Sequence, residues 1–410
     1  VNTTGASNVA IGNYALYTNT TADNNTAVGY QSLMANTTGP RNTAVGQGAL
    51  IANTTGGYNV AIGAESLKAN TTADSNTSIG HASLYTNTTG ADNVAVGRGA
   101  LYLNTTASSN TALGRLALYA NTTGDDNTAV GYKAMEDNTT GEYNVAVGYE
   151  ALNENTSARD NVAVGYKAME ANTTGQYNTG IGYQSLRTNT TGQYNTAVGK
   201  ESLHGNTTAD YNTALGYNAG TAITTGGKNT ALGAEALDTC TTGAENVAIG
   251  QAALYDNNAS YNVAVGRFAM RYNSTGTYNV AVGQQALEDN STANHNTAVG
   301  YFAGASLTTG TENTVVGSVS LATATTASYN TAFGYKCLQV STTAANNTAI
   351  GWNALRYCTT GGNNTAVGYQ SLISLTTSTY NTAMGYGAGD SISTGSGHNV
   401  VIGYNSGISL

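Results

Sequence analysis

The chain has few of the charged residues that a conventional globular surface requires. Only 9% of its 410 residues are charged, against about 25% in an average soluble domain. Its 14 Lys and Arg leave a net charge of −9, so the basic footprint expected of a nucleic-acid-binding protein is missing. No apolar run in the sequence approaches the roughly 18 residues of a membrane-spanning helix.

Other scarce residues exclude further classes of protein. Three Cys, an odd number late in the chain, give neither a disulfide framework nor a metal-ligand spacing. The single Pro suits a chain whose backbone N–H groups are used in ladders, because Pro removes one such donor. The four His residues fall at unrelated places in the pattern described next, so we expect no metal site and no cofactor; they are His81, His204, His295 and His398.

What the chain does contain is a short repeat that fills its whole length. The phrase Asn-Thr/Val-Ala-Val-Gly begins at Asn8 and occurs 24 times, the last time at Asn399. Of the 23 intervals between copies, 21 are 17 residues long, one is 16 and one is 18. No linker interrupts the pattern, so we expect residues 1–410 to form a single repeat array.

We number each repeat from its first Asn, which is position 0. Position 4 is always Gly, as in Gly12, Gly29 and Gly46, and position 1 is always Thr or Val. A β-branched residue followed by this invariant Gly predicts a short strand that ends in a turn. A second strand is expected through positions 6 to 8, and the Asn-Thr-Thr at positions 11 to 13 is typical of a turn. The prediction is an all-β, parallel β-solenoid (β-roll) of about 24 coils, in which Gly at position 4 supplies a positive φ or a close backbone approach.

The period-2 alternation of a strand predicts which side chains fill the coil. Position 3 is always apolar, as in Val28 and Val45, so we expect it to point inward and to meet Leu or Met at position 8. Position 11 is Asn in the first twelve copies and later becomes Leu, Ile, Ala, Ser or Cys in several copies, which indicates a buried site. An internal ladder of Asn amides is therefore predicted at position 11. The structural residues of this prediction include Leu33, Leu50, Asn19 and Asn36.

Positions 8 and 11 also change together. Four copies have Gly at position 8, and all four have Ile or Leu at position 11. This pairing predicts that the two side chains share one core volume. The pairs are Gly220 with Ile223, Gly304 with Leu307, Gly389 with Ile392, and Gly407 with Leu410.

The rows of small residues at positions 2 and 7 are expected to face away from positions 3 and 8. Uninterrupted rows of Ala and Ser allow another chain to approach closely, so they predict a subunit interface, most simply three-fold about a fibre axis. The alternative is that small residues merely fit a tight roll.

Tyrosine is concentrated in two rows, at positions 5 and 16, on either side of the predicted strand. Such rows could bind a glycan or a host surface, or the rings could stack on one another and stiffen the array. The candidate surface-contact residues are Tyr132, Tyr149, Tyr166 and Tyr183 at position 5, and Tyr177, Tyr194 and Tyr211 at position 16.

Two further expectations concern chemical modification. Cys240 and Cys358 occupy the same repeat position seven coils apart, on the order of 33 Å at about 4.7 Å per coil, which is too far for a disulfide. With Cys337 they are predicted to be buried thiols. Asn-Thr-Thr is also a glycosylation sequon, and buried Asn at position 11 could not carry glycans.

The repeated phrase resembles two groups of proteins. The Asn-Thr-Ala-Val-Gly-Tyr-Gln-Ser-Leu from Asn25 to Leu33 is similar to the repeat arrays of phage-type tail fibres, which often precede a self-cleaving chaperone domain. The Asn-Thr/Val-Ala-Val/Ile-Gly phrase also resembles the β-roll heads of trimeric autotransporter adhesins. The resemblance covers the whole chain and implies a left-handed, homotrimeric β-roll, although the 17-residue unit is longer than the common adhesin coil.

The function expected from this pattern is a structural and adhesive fibre, the rod-like shaft or head of a viral tail fibre or bacterial surface adhesin. Its location would be extracellular, on a cell surface or on a virion, and its partners other copies of itself and a host surface or glycan. The alternative is a self-assembling extracellular filament or sheath, and an ice- or lattice-binding protein is a third hypothesis. No enzyme activity is expected, because the array carries no long loop or paired carboxylates. Neither end resembles a capping repeat, so the chain is expected to be a segment of a longer fibre.

Overall fold

The computed structural model describes residues 2–395 and 397–407 and contains no helix in those ranges. Val1 and Leu410, which the sequence assigns to the first and last repeats, lie outside them. The chain divides into two compact units, Val1–Thr208 and Ala209–Leu410. Each unit contains twelve three-residue β-strands, which occupy positions 1 to 3 of the repeats.

The strands of the first unit are β1 (Val9–Ile11), β2 (Thr26–Val28), β3 (Thr43–Val45), β4 (Val60–Ile62), β5 (Thr77–Ile79), β6 (Val94–Val96), β7 (Thr111–Leu113), β8 (Thr128–Val130), β9 (Val145–Val147), β10 (Val162–Val164), β11 (Thr179–Ile181) and β12 (Thr196–Val198). Those of the second unit are β13 (Thr213–Leu215), β14 (Thr230–Leu232), β15 (Val247–Ile249), β16 (Val263–Val265), β17 (Val280–Val282), β18 (Thr297–Val299), β19 (Thr314–Val316), β20 (Thr331–Phe333), β21 (Thr348–Ile350), β22 (Thr365–Val367), β23 (Thr382–Met384) and β24 (Val400–Ile402).

Within each unit, every strand pairs in parallel with the next strand along the chain, so each repeat forms one coil of a β-solenoid. The register joins equal repeat positions, as in Thr26 with Thr43 and Val28 with Val45. The 16- and 18-residue intervals preserve this register, because Val247 still pairs with Val263. The parallel β-solenoid with 17-residue spacing that the sequence predicts is therefore confirmed.

The predicted second strand is wrong. Positions 6 and 8 have positive φ, as in Gln31 (φ 56°) and Leu33 (φ 52°), which a regular strand does not allow. The segment still makes hydrogen bonds between coils: Gln31 N–H donates to the carbonyl of Asn13 and Leu33 N–H to the carbonyl of Ala49, both at 2.9 Å. Turns between positions 5 and 10 thus extend the inter-coil bonding without a strand.

Glycine at position 4 combines the two properties that the sequence predicts for it. Gly12, Gly29 and Gly46 have φ of +127°, +132° and +135°, a region that side chains disfavour. A Cβ on Gly29 would lie 2.6 Å from the carbonyl oxygen of Gly46 in the next coil. Any other residue at position 4 would therefore be strained and would also push two coils apart.

The inward assignment of position 3 is wrong, and so is the outward assignment of positions 2 and 7. Ala27 and Ala44 at position 2 are fully buried, as is Ala49 at position 7, whereas Val28 and Val45 are only half-buried on the outer face of their strands. Leu33 and Leu50 at position 8 are fully buried, as predicted. The small residues fit a tight roll, which is the alternative that the sequence left open.

The reason is that the coil is too narrow for a large residue on its strand side. At position 2 of one coil the chain has Gly180, and a Cβ there would lie 2.8 Å from Cγ of Met169 and 3.2 Å from Oγ of Ser185. Leu or Met at position 8 and the small residue at position 7 therefore occupy the space that a strand residue would need. Only a small side chain fits opposite them, so the larger aliphatic residue of the strand points outward.

The predicted ladder of Asn side chains at position 11 is present and buried. Asn36 Nδ2 donates to Asn19 Oδ1 at 3.1 Å and to the carbonyl of Gly39 at 3.0 Å, and Asn53 Nδ2 donates to Asn36 Oδ1 at 2.9 Å. The same bond recurs from coil to coil as far as Asn206, which donates to Asn189 Oδ1 at 2.7 Å. Each of these Asn side chains donates both of its amide hydrogens. The polar groups therefore have hydrogen-bond partners although they are buried.

A second row of buried Asn at position 0 lies beside this ladder. Asn25 Oδ1 accepts a hydrogen bond from the backbone N–H of Asn42 at 2.8 Å. Asn42 Nδ2 donates to the carbonyl of Gly56 at 2.9 Å, and Asn53 Nδ2 donates to the same oxygen at 2.8 Å. The carbonyl at position 14 thus joins both Asn rows and fixes the last turn of the coil.

The exchange of volume between positions 8 and 11 is confirmed for two of the four pairs. Leu307 is fully buried, and a Cβ on Gly304 would lie 3.0 Å from its Cδ1. A Cβ on Gly389 would likewise lie 3.2 Å from Cδ1 of Ile392. Where Leu307 ends a short Asn ladder, Oδ1 of Asn290 is left buried without a partner. Leu410, which the sequence pairs with Gly407, lies outside the described residues.

Candidate binding surfaces

The outer face of the strands, formed by positions 1 and 3, exposes large apolar side chains in each unit. Ile62 is 39% exposed, Leu113 47% and Phe333 56%. All 24 copies have Thr or Val at position 1 and an aliphatic residue, Phe or Met at position 3, so this face carries no charge. We call it the strand face; contiguous apolar surfaces of this kind mark interaction sites in soluble proteins.

The tyrosines at position 5 form a stack along one side of the strand face. The ring centroids of Tyr132, Tyr149, Tyr166 and Tyr183 are separated in turn by 5.2, 5.3 and 5.2 Å, with interplanar angles of 8° to 25°. A second stack at this position includes Trp352, which lies 4.8 Å from Tyr369. The stacking that the sequence offered as one of two interpretations is therefore confirmed.

The tyrosines at position 16 form the corresponding row on the other side of the strand face. Tyr177 and Tyr194 stack at 4.9 Å in the first unit, and Tyr261 and Tyr278 stack at 5.0 Å in the second. Tyr211, the remaining candidate residue, belongs to the second unit and is exposed. The strand face is thus bordered by aromatic rows on both sides.

A third aromatic row, at position 9, was missed by the sequence analysis. Tyr85, Tyr102 and Tyr119 stack with centroid distances of 4.9 and 5.1 Å. Their 17-residue spacing was visible in the sequence and could have revealed the row. Burial, together with the neighbouring Tyr85 and Tyr119, raises the pKa of Tyr102 above its ordinary value.

Stacking determines what these rows can offer to a ligand. In a stack such as Tyr132 to Tyr183 the ring faces are covered by neighbouring rings, so ring edges and hydroxyl groups are left for contacts. Lys and Arg cover faces at the ends of this stack: the guanidinium carbon of Arg115 lies 5.6 Å from the Tyr132 centroid and Nζ of Lys200 lies 5.9 Å from the Tyr183 centroid. These are cation–π distances, and they leave few open ring faces for an uncharged partner.

Charged residues at positions 6 and 9 form ion pairs within and between coils. Lys167 Nζ lies 2.6 Å from Glu170 and 3.0 Å from Glu150, and Arg187 Nε lies 2.7 Å from Glu170. Burial by itself would raise the pKa of Glu170, but the hydrogen bonds from Lys167 and Arg187 outweigh it and lower that pKa. The pKa of Lys167 is raised, mainly by its hydrogen bond to Glu170.

The cysteines have the environment of buried thiols, as predicted. Cys240, Cys337 and Cys358 are all buried and unpaired with one another. Burial raises the pKa of Cys240 and Cys337 to about 11 and that of Cys358 to about 12. Cys358 replaces Asn at position 11 and donates from Sγ to the carbonyl of Gly361 at 3.1 Å, so it takes over one hydrogen bond of the Asn it replaces.

Residues 2–395 and 397–407 lack both a metal-binding cluster and a membrane-spanning helix. These residues contain no group of three or more His, Cys, Asp and Glu placed to hold a metal ion. They also contain no helix with the length and apolarity needed to cross a membrane.

The fold and these surfaces define a class of protein, the parallel β-solenoid repeat proteins. Comparison with known proteins adds no family to this class: neither a protein-family model nor a curated protein matches the chain.

Proposed function

We propose that the chain is a structural and adhesive fibre segment that assembles with copies of itself through the strand face. The observation that carries this proposal is the uncharged outer face of the strands, which each unit presents on twelve consecutive coils. The setting that fits such a segment is extracellular, on a bacterial surface or a virion, as in the adhesins and tail fibres that the repeat resembles.

The size of the strand face supports an assembly role. Twelve strands about 4.8 Å apart and about 10 Å long give on the order of 600 Å² per unit before the tyrosine rows are added. A stable protein interface buries about 800 Å² on each partner. The strand face and its aromatic borders together therefore provide enough surface for an interface in each unit.

The regular spacing of the strand face favours another copy of the same chain as the partner. The outward residues repeat at the spacing of the parallel ladder, and a second solenoid of the same repeat offers rows with an identical step. The homotrimer implied by the resemblance is kept in this proposal, with the strand face as its interface. The rows of Ala at positions 2 and 7 cannot serve this purpose, because they lie inside the coil.

Sedimentation velocity of the full chain at several concentrations tests the assembly. We expect a discrete oligomer, with the mass of a trimer, for the natural sequence. A variant with Val130→Lys, Val147→Lys and Val164→Lys places three charges on the strand face, and desolvating them in an interface is costly. This variant is expected to sediment as a monomer.

The matched control places the same three charges on an exposed turn. Thr123, Thr140 and Thr174 lie at position 13 and are exposed, so their replacement by Lys is expected to leave the oligomer intact. A natural chain that remains monomeric at every concentration would refute the proposal, and so would an oligomer that the strand-face lysines leave unchanged.

A self-assembling filament or sheath is the second candidate, and the direction of the backbone hydrogen bonds favours it. The N–H and carbonyl groups of each coil bond to the coils before and after it, as Gly46 N–H does to Val28 and Leu50 N–H to Ser66. End-to-end stacking would continue these ladders between chains. A series of species that grows with concentration, instead of one discrete oligomer, would favour this candidate.

A further inference from the structure

A groove lies between the position-5 and position-9 rows of the first unit. It has a volume of about 350 Å³, and its lining includes His81, Ala82, Arg98, Gly99 and Leu116. This is near the lower end of the range for small-molecule sites, about 300–1,000 Å³. The groove is therefore large enough for a ring-sized ligand, and small enough to hold it against several side chains.

The groove is open because position 6 carries small residues in two successive coils. Ala82 and Gly99 occupy position 6 here, whereas the neighbouring coils have Glu65 before them and Leu116 after them. A Cβ on Gly99 would lie 3.1 Å from Cδ2 of Leu116 and 3.7 Å from Cδ2 of Tyr119. The floor of the groove is thus formed by the backbone of Gly99 and the methyl group of Ala82, with Leu116 and Tyr119 above it.

One wall of the groove carries the positive charge of Arg98, in a chain with a net charge of −9. Arg98 and His81 lie at position 5 of two successive coils, and both side chains are exposed. In the part of the chain that the structure describes, neither forms an ion pair. This wall can therefore accept an anionic group without first losing an internal partner.

The opposite wall is aromatic and ends in a carboxylate. Tyr102 and Tyr119 belong to the stacked row at position 9, and the next residue of that row is Glu136. Tyr119 is the last ring of its stack, so one of its faces is not covered by another tyrosine. Glu136 is held at its place by Lys133 at 2.8 Å, and its carboxylate can accept hydrogen bonds from hydroxyl groups.

We propose that this groove binds a carboxylated sugar residue of an acidic glycan. The proposal rests on the adhesive part of the function proposed above, because it names the ligand class for that adhesion. The sugar carboxylate pairs with the guanidinium of Arg98, which can bind it through two hydrogen bonds. The C–H face of the ring packs on Leu116 and Tyr119. Its hydroxyl groups donate to Glu136 and bond to the Tyr102 hydroxyl.

The combination of groups selects this ligand class over simpler ones. An inorganic anion would use the cationic wall but not the apolar floor or the aromatic wall. A neutral sugar would use the aromatic wall and Glu136 but would leave Arg98 without a counter-charge. Only a ring that carries both hydroxyl groups and a carboxylate uses every side of the groove.

Titration calorimetry with the full chain tests the proposal. The probes are galacturonate and glucuronate oligosaccharides and a sialylated oligosaccharide, each compared with its neutral counterpart of equal length. At least one acidic probe is expected to bind, more weakly as salt is raised, and its neutral counterpart is expected not to bind. Gly99→Gln fills the groove and is expected to weaken binding about tenfold or more, as is Arg98→Gln, which removes a charged hydrogen-bond donor.

Matched controls are available at the same repeat positions. Gly48 also lies at position 6, has φ +63° against +67° for Gly99, and has open space around its Cβ position, so Gly48→Gln is expected to bind like the natural chain. Arg267 lies at position 5 of a distant repeat, and Arg267→Gln is likewise expected to have no effect.

Three outcomes would overturn the proposal: no binding of any acidic probe, equal binding of neutral probes, or equal loss in the Gly48 and Gly99 variants. Sedimentation of the same samples separates this result from the proposed assembly. An intact oligomer that binds no acidic glycan would refute the groove proposal alone. A monomer that still binds the acidic probe would refute the assembly alone.

Discussion

Gly46 has a φ of +135°, and a Cβ at this residue would lie 2.5 Å from the carbonyl oxygen of Gly63. The next glycine along the chain, Gly48, also has positive φ, but its Cβ position is empty. Non-glycine residues adopt the same conformation as Gly48 elsewhere, for example Glu65 and Gln31. A positive φ alone therefore does not require Gly in this fold, whereas the close approach of two coils at position 4 does.

Replacing these two glycines by alanine should separate the two effects. Gly46→Ala is expected to lower the free energy of unfolding by about 2 kcal/mol or more, because the strain of its backbone adds to a clash with the next coil. Gly48→Ala is expected to cost about 1 kcal/mol or less. Urea unfolding followed by circular dichroism measures both, and equal losses would contradict the role given to the close approach.

At the scale of elements, the strand and the turn after it share one small interior. Position 2 of each coil packs against position 8 of the preceding coil, as Gly180 does against Met169. The two copies with Val at position 2, Val315 and Val401, directly follow copies with Gly at position 8. This co-variation was visible in the sequence and would have placed position 2 inside the coil.

The exchange of core volume predicts a result for one coil of the second unit. Gly304→Leu alone is expected to destabilise by about 1–3 kcal/mol through overpacking, because its side chain would collide with Leu307 and Leu287. Adding Leu307→Asn and Val315→Ala restores the usual residues of the repeat and gives Asn290 a donor for its buried oxygen. The triple variant should therefore unfold at a higher urea concentration than Gly304→Leu, and a still lower midpoint would contradict the shared core.

The ion pairs of positions 6 and 9 predict a dependence of stability on pH. Because the pKa of Glu170 is lowered in the folded chain, its stabilisation is present above the unfolded pKa of about 4.3 and is lost as the pH falls through the folded value. Glu170→Gln is expected to cost about 1 kcal/mol at pH 7. Its difference from the natural chain should shrink as the pH falls below the unfolded pKa, as measured by urea unfolding.

The control for this prediction is Glu154→Gln. Glu154 is exposed, and it forms no ion pair among the described residues. Its replacement is expected to change stability little at either pH. If the effect of Glu154→Gln on stability depended on pH as strongly as that of Glu170→Gln, the ion pairs would not be the cause of the pH dependence.

At the scale of the whole molecule, each unit is stabilised by contacts between neighbouring coils. All strand pairings within a unit join consecutive repeats, and the Asn rows and tyrosine stacks follow the same order. Such a solenoid behaves as a one-dimensional array, in which one repeat interacts with the next and with none beyond it. The length of the array can therefore change without a change in its fold.

Deleting one complete repeat should leave the first unit folded. Removal of residues 59–75 brings the coil of Asn42 next to that of Asn76 with every position in register, so the β signal in circular dichroism and the urea midpoint should change little. Removal of nine residues, 59–67, joins unlike positions and is expected to abolish cooperative unfolding. Equal effects of the two deletions would contradict the one-dimensional description.

The sequence alone determined the architecture, because a 17-residue period with an invariant Gly is a direct consequence of stacking identical coils. It also determined the buried Asn ladder, since Asn36 and its equivalents exchange with residues such as Leu307 and Cys358. The same spacing offered stacking of the tyrosines as one of two interpretations, and the third row, with Tyr102, was overlooked.

Only the tertiary structure decided which face of the strand is the inner one. Alternation along a strand places Val28 and Ala27 on opposite faces, but it does not say which of them is buried. That choice depends on the width of the coil, which is fixed by Leu33 at position 8 and by turns with positive φ that no strand pattern reveals. The groove beside Gly99 was decided in the same way, because it exists only where residues of four successive coils come together.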